Sequence, residues 1–281
     1  MTRMKLAFLV ILVAITTSSN AQIAGNVTSR VFFIKARSMA GTAFAIEVDG
    51  RQYLITAKHV VREIEDEEVI QIRKDGIWSP LNVKVYRCDD PVDIAVLIPP
   101  RQISNAASIL TKGSMWFPGQ EMFFLGFPYG NETDLRLQGG YPVALAKKAM
   151  LSGMTPLVPK KTGMLYLLDG YNNPGFSGAP LVFRDTATGL FVIAGVIVSF
   201  LPDGGPVLKT TEIAPPQINE DDRKNERILT HEGKYYRITD TTTDMVKLNT
   251  GIALAHDIEF AEQLIRDRSL SGPKVNADFK P

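Results

Sequence analysis

Gly175-Phe-Ser-Gly-Ala-Pro180, GFSGAP, sets one serine between two glycines and runs into the apolar stretch LVF. Ser, Gly and Pro are ordinary loop residues, so this stretch taken alone reads equally well as a turn. A serine hydroxyl is a weak nucleophile at neutral pH. It needs an imidazole to take its proton and a carboxylate to orient that imidazole. Turn or active site is therefore decided by what stands upstream.

The chain holds three histidines, His59, His231 and His256. His59 lies in YLITAKHVV, directly after a β-prone run, where a tight turn can aim its ring into a cleft. His231 follows a hydrophilic stretch, and His256 ends IALAH in a setting that suits a packed or surface residue. Asp93 opens DIAVLIPP, so its carboxylate belongs at a strand mouth with apolar residues behind it. Asp89 and Asp90, in the turn CDDP, are the alternatives. A tetrahedral intermediate also needs backbone N–H groups aimed at its oxyanion. Pro174 has no amide, which leaves Gly175 and Ser177 as the natural donors. There is no HExxH pattern, and neither the histidines nor the single cysteine have zinc-ligand spacing, so no metal and no cofactor is expected.

The order His, Asp, Ser excludes two other hydrolase plans. An α/β-hydrolase runs Ser, acid, His and needs a G-x-S-x-G elbow, which GFSGA is not. The subtilisin order, Asp before His, fails as well.

Outward from these motifs the chain is a series of short β-prone runs divided by turns. VFFIKA, GTAFAIEV, QYLITA, VIQIRK, LNVKVYR and DIAVLI fill the first part; MFFLGF, YPVALAKKAM, MLYLLD, PLVFRD and LFVIAGVIVSF fill the second. V-D-G-R at 48–51 reads as a hairpin turn. Strands at this spacing predict an all-β protein, an antiparallel sandwich or a pair of barrels. DIEFAEQLIRDR, 257–268, is the clearest helix, with Phe260, Leu264 and Ile265 on its apolar face. The expected division is a signal peptide at 1–21, an N-terminal barrel with His and Asp at 22–115, and a C-terminal barrel with Ser at 116–268. A flexible tail at 269–281 follows. Residues 206–250 read as an insertion: first a polar loop, then a small hairpin with KYYRI as one strand.

TAKH (56–59), DIAVL (93–97) and GFSGAP (175–180) resemble the three catalytic signatures of chymotrypsin-fold, trypsin-like serine proteases. GTAFAIEVDGRQYLITAKHVV and GIALAHDIEFAEQLI resemble most the protease domain of the bacterial high-temperature-requirement and Deg group. The resemblance implies two packed antiparallel β-barrels closed by a C-terminal helix. It implies His59 as general base, Asp93 as its orienting carboxylate, Ser177 as nucleophile, and the Gly175 and Ser177 amides as oxyanion hole. It also implies a substrate pocket from Tyr171, Ser199, Phe200, Leu201 and Ala253. Tyr171 stands where basic-specific relatives carry an aspartate, so an apolar side chain is expected there. Phe176 replaces the aspartate or asparagine of relatives, which argues against an activation ion pair. Thirteen residues after Arg268 leave no room for a PDZ module.

MTRMK, the apolar run Leu6–Ile15 and TTSSNA form a secretory leader cut after Ala21. Ten strongly apolar residues are too few for a membrane anchor, which takes about 20. Loss of Arg3 and Lys5 turns the formal charge from +1 to −1, which gives nucleic acid no electrostatic hold. Cys88, the single cysteine, excludes an intramolecular disulfide. The sequence therefore points to a secreted or periplasmic serine endopeptidase acting on protein or peptide, without cofactor, stable membrane anchor or nucleic-acid partner. The competing expectation is a catalytically silent domain of the same fold that binds peptides or proteins; oligomeric state is left open.

Overall fold

The computed structural model describes residues 23–105, 109–111, 117–137, 139–159 and 163–280; the expected leader lies outside them. A short helix α1 (Gly25–Thr28) leads into β1 (Val31–Ala36), β2 (Met39–Val48), β3 (Arg51–Thr56), β4 (Glu67–Lys74), β5 (Ile77–Arg87) and β6 (Ala95–Ile98). These six close into an antiparallel barrel in the order β1-β2-β3-β6-β5-β4. The β2–β3 turn is Asp49-Gly50, with φ of 50° and 70°, as a tight two-residue hairpin requires.

The second half contributes β7 (Glu121–Gly126), β8 (Leu145–Pro156), β9 (Met164–Asp169), β10 (Pro180–Arg184), β11 (Phe191–Ile213), β12 (Ile228–His231) and β13 (Lys234–Asp257). The order β11-β10-β7-β8-β9-β13 is closed by a β11–β13 pairing into a second barrel, with β12 added outside it. Two packed antiparallel barrels are the fold expected from the motifs.

Patterning explains where the cores sit. β7 is apolar on both faces because Met122 and Phe124 fill the second barrel, whereas Phe123 and Leu125 join the larger core shared with the first. Phe33 of β1 stacks on Phe127 after β7, centroids 4.9 Å apart, and Phe32 meets Tyr141 edge-on, also at 4.9 Å. Each buried aromatic contributes about 1.5–3 kcal/mol of transfer free energy. Such pairs join the barrels without a disulfide, since Cys88 is a free, buried thiol. Helix α3 (Glu259–Asp267) follows β13 and buries Phe260, Ala261 and Ile265 in the shared core. Asp257, one residue before the N-cap Ile258, accepts a hydrogen bond from the Glu259 amide at 3.0 Å.

Two segments differ from expectation. The insertion expected at 206–250, first a loop and then a hairpin, instead continues β11 and β13 as one long antiparallel arm, from Pro202↔Asn249 to Ile213↔Tyr235, with KYYRI paired to β12 in a hairpin. Helix α2 (Glu220–Lys224) and β12 sit at its far end. The closing segment, expected to be loose, is tied to the first barrel: Gln52 N donates to Pro273 O and Val275 N to Gly50 O, each at 2.9 Å. Among the described residues no helix is long and apolar enough to cross a membrane.

Candidate active site

β3 and β6 are paired, with Thr56 opposite Ala95, so the end of one strand meets the start of the other on the same barrel rim. His59 lies just past β3 in a single 3-10 turn, Lys58–Val61, and Asp93 lies just before β6. One Asp93 oxygen accepts from the His59 backbone amide at 2.9 Å, and the other meets His59 Nδ1 at 2.7 Å. An ionised carboxylate can only accept, so the proton belongs on Nδ1 and Nε2 keeps its lone pair. Asp89 and Asp90 make no such contact; Asp90 instead pairs with Lys58 at 2.6 Å.

Asp93 is held from behind by His256, on β13, whose Nδ1 accepts the Asp93 backbone amide at 3.0 Å. Burial pushes the His256 imidazole down to about 4, with Asp93 working against that and Lys58 adding to it. The ring is therefore neutral at physiological pH and carries its proton on Nε2.

Ser177 is delivered to this rim by the loop between β9 and β10. Its carbonyl accepts from Thr42 N on β2 at 2.9 Å. Thr42 Oγ1 donates to Gly175 O, and Thr42 O accepts from Thr56 Oγ1, both at 2.7 Å. One threonine thus ties the serine loop to the strand that ends three residues before His59. The approach is close enough to demand glycine. A Cβ at Gly178 would lie 2.1 Å from Thr42 O and 2.9 Å from Ala57 N, and φ there is +84°. A Cβ at Gly175, φ +101°, would lie 2.2 Å from Phe127 O. Ser177 is thereby set beside the His59 turn through its backbone and neighbours.

Within the loop the Phe176 amide donates to Asn173 O, the Gly178 amide to Ile197 O and the Ala179 amide to Phe176 O. Among the described residues, nothing accepts from the Gly175 or Ser177 amides. Two N–H groups two residues apart, one of them the serine's own, are left without an acceptor, the arrangement an oxyanion would need. Phe176 is buried in the second core, edge-on to Phe124 with centroids 4.8 Å apart. An apolar side chain at that position is placed by packing.

The expected pocket segments lie together at one end of the second barrel. Asn172 Nδ2 donates to Ser199 O at 2.8 Å, Asn249 Nδ2 to Asn172 O at 2.7 Å, and Gly170 N to Gly251 O at 2.7 Å. Tyr171 lies with its ring over Gly251 and is 56% exposed. Ser199 and Leu201 are exposed and Phe200 is half-buried, whereas the Ala253 methyl is fully buried in the second core. A groove of about 1010 Å³ lies elsewhere, between β4–β5 and residues 268–273, and holds none of His59, Asp93 or Ser177.

Thr42, Asn172 and His256 as a partner of Asp93 were not singled out by the sequence. Thr42 stands in an ordinary strand, and its contacts reach 133 positions along the chain, so no local pattern marks it. Among the described residues no cluster of acidic, histidine or cysteine side chains could hold a metal.

Residues 41–192 match the family model described as trypsin-like peptidase domain. No curated protein is significantly similar in sequence. Among solved structures, an HtrA-type protease AlgW with tripeptide is 16% identical, with a TM-score of 0.51 over 86% of this chain and 60% of that one. The serine endoprotease from Yersinia pestis is 18% identical, with a TM-score of 0.50 over 86% of this chain and 65% of that one. An inactive form of Rv3671c from M. tuberculosis H37Rv is 15% identical, at 0.48 over 88% and 90%. At such identities the first two bear on the fold alone.

Proposed function

The chain belongs to the trypsin-like peptidase family, an enzyme of the serine endopeptidase class, and on that premise we propose that it is exported and cleaves proteins or peptides through His59, Asp93 and Ser177. One observation carries the reading. Both Asp93 oxygens engage His59, leaving Nε2 as a base beside a serine loop with two unengaged amides.

In this mechanism Ser177 Oγ attacks the scissile carbonyl carbon while His59 Nε2 takes the hydroxyl proton. The carbonyl π electrons move onto oxygen, and the Gly175 and Ser177 amides hold the oxyanion. Collapse expels the amine, which leaves with the proton from His59, and an ester to Ser177 remains. Water, deprotonated by the same imidazole, then attacks the ester; the acid product departs and Ser177 regains its proton.

The pocket at Tyr171, Ser199, Phe200 and Leu201 offers no carboxylate; Ala253, expected with them, is buried in the second core and presents no surface to a substrate. Lys147 Nζ lies 5.7 Å from the Tyr171 ring centroid, which further disfavours a cationic side chain. Cleavage is expected after small or medium apolar residues; a peptide-library digest dominated by cleavage after Arg or Lys would overturn this. The leader at 1–21 directs the protein to a secreted or periplasmic location. For the chemistry, Ser177→Ala is expected to fold as wild type and to lose all labelling by a fluorophosphonate probe. Equal labelling of wild type and variant would reject Ser177 as nucleophile, and no labelling of folded wild type would favour a silent, peptide-binding domain.

A further inference from the structure

An oxyanion site made of two backbone amides works only if the peptide planes that carry them are fixed. The flexible joint here is the 174–175 peptide, since Gly175 has no side chain to restrict it. With Phe176 uncharged and buried, no ion pair from that residue can pin the loop.

Lys147, on β8, occupies the corresponding place from the other side. Its Nζ donates to Tyr171 O and, at 3.0 Å, to Asn173 Oδ1. It lies 5.7 Å from the Tyr171 ring centroid and 6.0 Å from that of Phe176. Among the described residues it has no carboxylate partner, and burial lowers its pKa from the usual lysine value. A lysine stem can normally carry its charge into water. This one turns its ammonium onto the serine loop.

The contacts continue past Lys147. Asn173 Nδ2 donates to the Tyr129 hydroxyl at 3.0 Å, and the Tyr129 amide donates to Pro174 O at 2.7 Å. Tyr129 holds a left-handed φ of 53° in doing so. The C=O and N–H of one trans peptide point in opposite directions. Aiming the Pro174 carbonyl at Tyr129 therefore turns the Gly175 N–H away from it, leaving that amide without an acceptor.

We propose that Lys147 is a positioning residue: through Asn173 and Tyr129 it holds the 170–178 loop with the Gly175 amide presented as an oxyanion donor, in place of an activation ion pair. The catalytic consequence rests on the serine endopeptidase reading; the structural one does not.

The test compares Lys147→Met, which keeps the stem and removes donor and charge, with Lys147→Arg, which keeps both. Hydrogen exchange of the 170–178 segment and the rate of fluorophosphonate labelling are read on the same preparations. Lys147→Met is expected to exchange this segment at least tenfold faster, with β1–β6 unchanged, and to label at least tenfold more slowly. Lys147→Arg is expected to stay near wild type in both. Wild-type exchange in folded Lys147→Met overturns the brace, even if labelling falls. If wild type does not label, the protease reading fails, and exchange alone decides whether Lys147 holds the loop. Should Lys147→Met not fold, Tyr129→Phe removes only the hydroxyl that Asn173 meets; faster exchange of 170–178 then supports the brace, and unchanged exchange overturns it.

Discussion

Asp93 is held at four points: its two carboxylate oxygens take the His59 amide and ring, its carbonyl takes the Lys58 amide, and its own amide is taken by His256. The last contact makes the site sensitive to acid in a way that can be signed. His256 is 6% exposed, and burial lowers its pKa to about 4 in the folded chain, from about 6.5. Between those values the unfolded chain binds a proton that the folded chain does not. Stability is therefore complete above about pH 6.5 and is lost as pH falls toward 4. From pH 7 to 4.5 this one group should remove about 2 kcal/mol. His256→Gln, whose carbonyl can accept the Asp93 amide without titrating, is expected to show a smaller loss by about that amount in urea unfolding. An equal acid loss in both proteins would mean that His256 does not titrate as its setting implies. His59 and Asp93 were legible because each stands beside a short apolar run that ends or begins a strand. His256 as the partner of Asp93 was not, because the two are 163 positions apart and only barrel closure brings them together.

At the scale of elements, the serine loop depends on glycine where main chain meets main chain. Gly178 combines φ +84° with an absent Cβ that would fall 2.1 Å from Thr42 O and 2.3 Å from Thr56 Oγ1. Left-handed backbone at a non-glycine residue costs about 1–3 kcal/mol and overpacking a further 1–3. Gly178→Ala should therefore lose at least about 2 kcal/mol in urea unfolding. Gly153, at a bulge in β8, has nothing within 4 Å of its absent Cβ. Gly153→Ala is expected within about 0.5 kcal/mol of wild type. Comparable losses in the two variants would show that the Gly178 contact is not as close as drawn. The V-D-G-R hairpin was readable because its turn chemistry is local. The arm was not: Pro202, Gly204, Gly205 and Pro206 are signals that break strands. The structure accommodates the prolines at register shifts, between Phe200 and Pro202 and between Pro206 and Leu208.

For the whole molecule, the two barrels and the arm contribute very unequally to stability. Both apolar cores are built from the barrel strands, the turns and loops that join them, and the terminal helices; among residues whose burial is described, none between Val198 and Ala253 belongs to either core. Of the arm's large apolar side chains, Val207, Leu208, Leu229, Val246 and Leu248 are exposed, and Ile213, Ile218, Ile228, Tyr235, Tyr236 and Ile238 are half-buried. Its buried polar contact, Asp222 with Arg237 at 2.7 Å, joins two parts of the arm to each other. Folding free energy scales with apolar area removed from water, so the arm should unfold or be removed without loss of the barrels. Replacing residues 204–248 by a two-residue turn between Asp203 and Asn249, which the ladder already places near each other, preserves every core side chain. The shortened protein is expected to unfold as one transition, within a few degrees of wild type. It should be labelled by a fluorophosphonate at the wild-type rate, since Ser177, His59 and Asp93 hang from β3, β6 and the β9–β10 loop. A collapse of thermal stability would mean that closure of the second barrel through β11 and β13 depends on the arm beyond it.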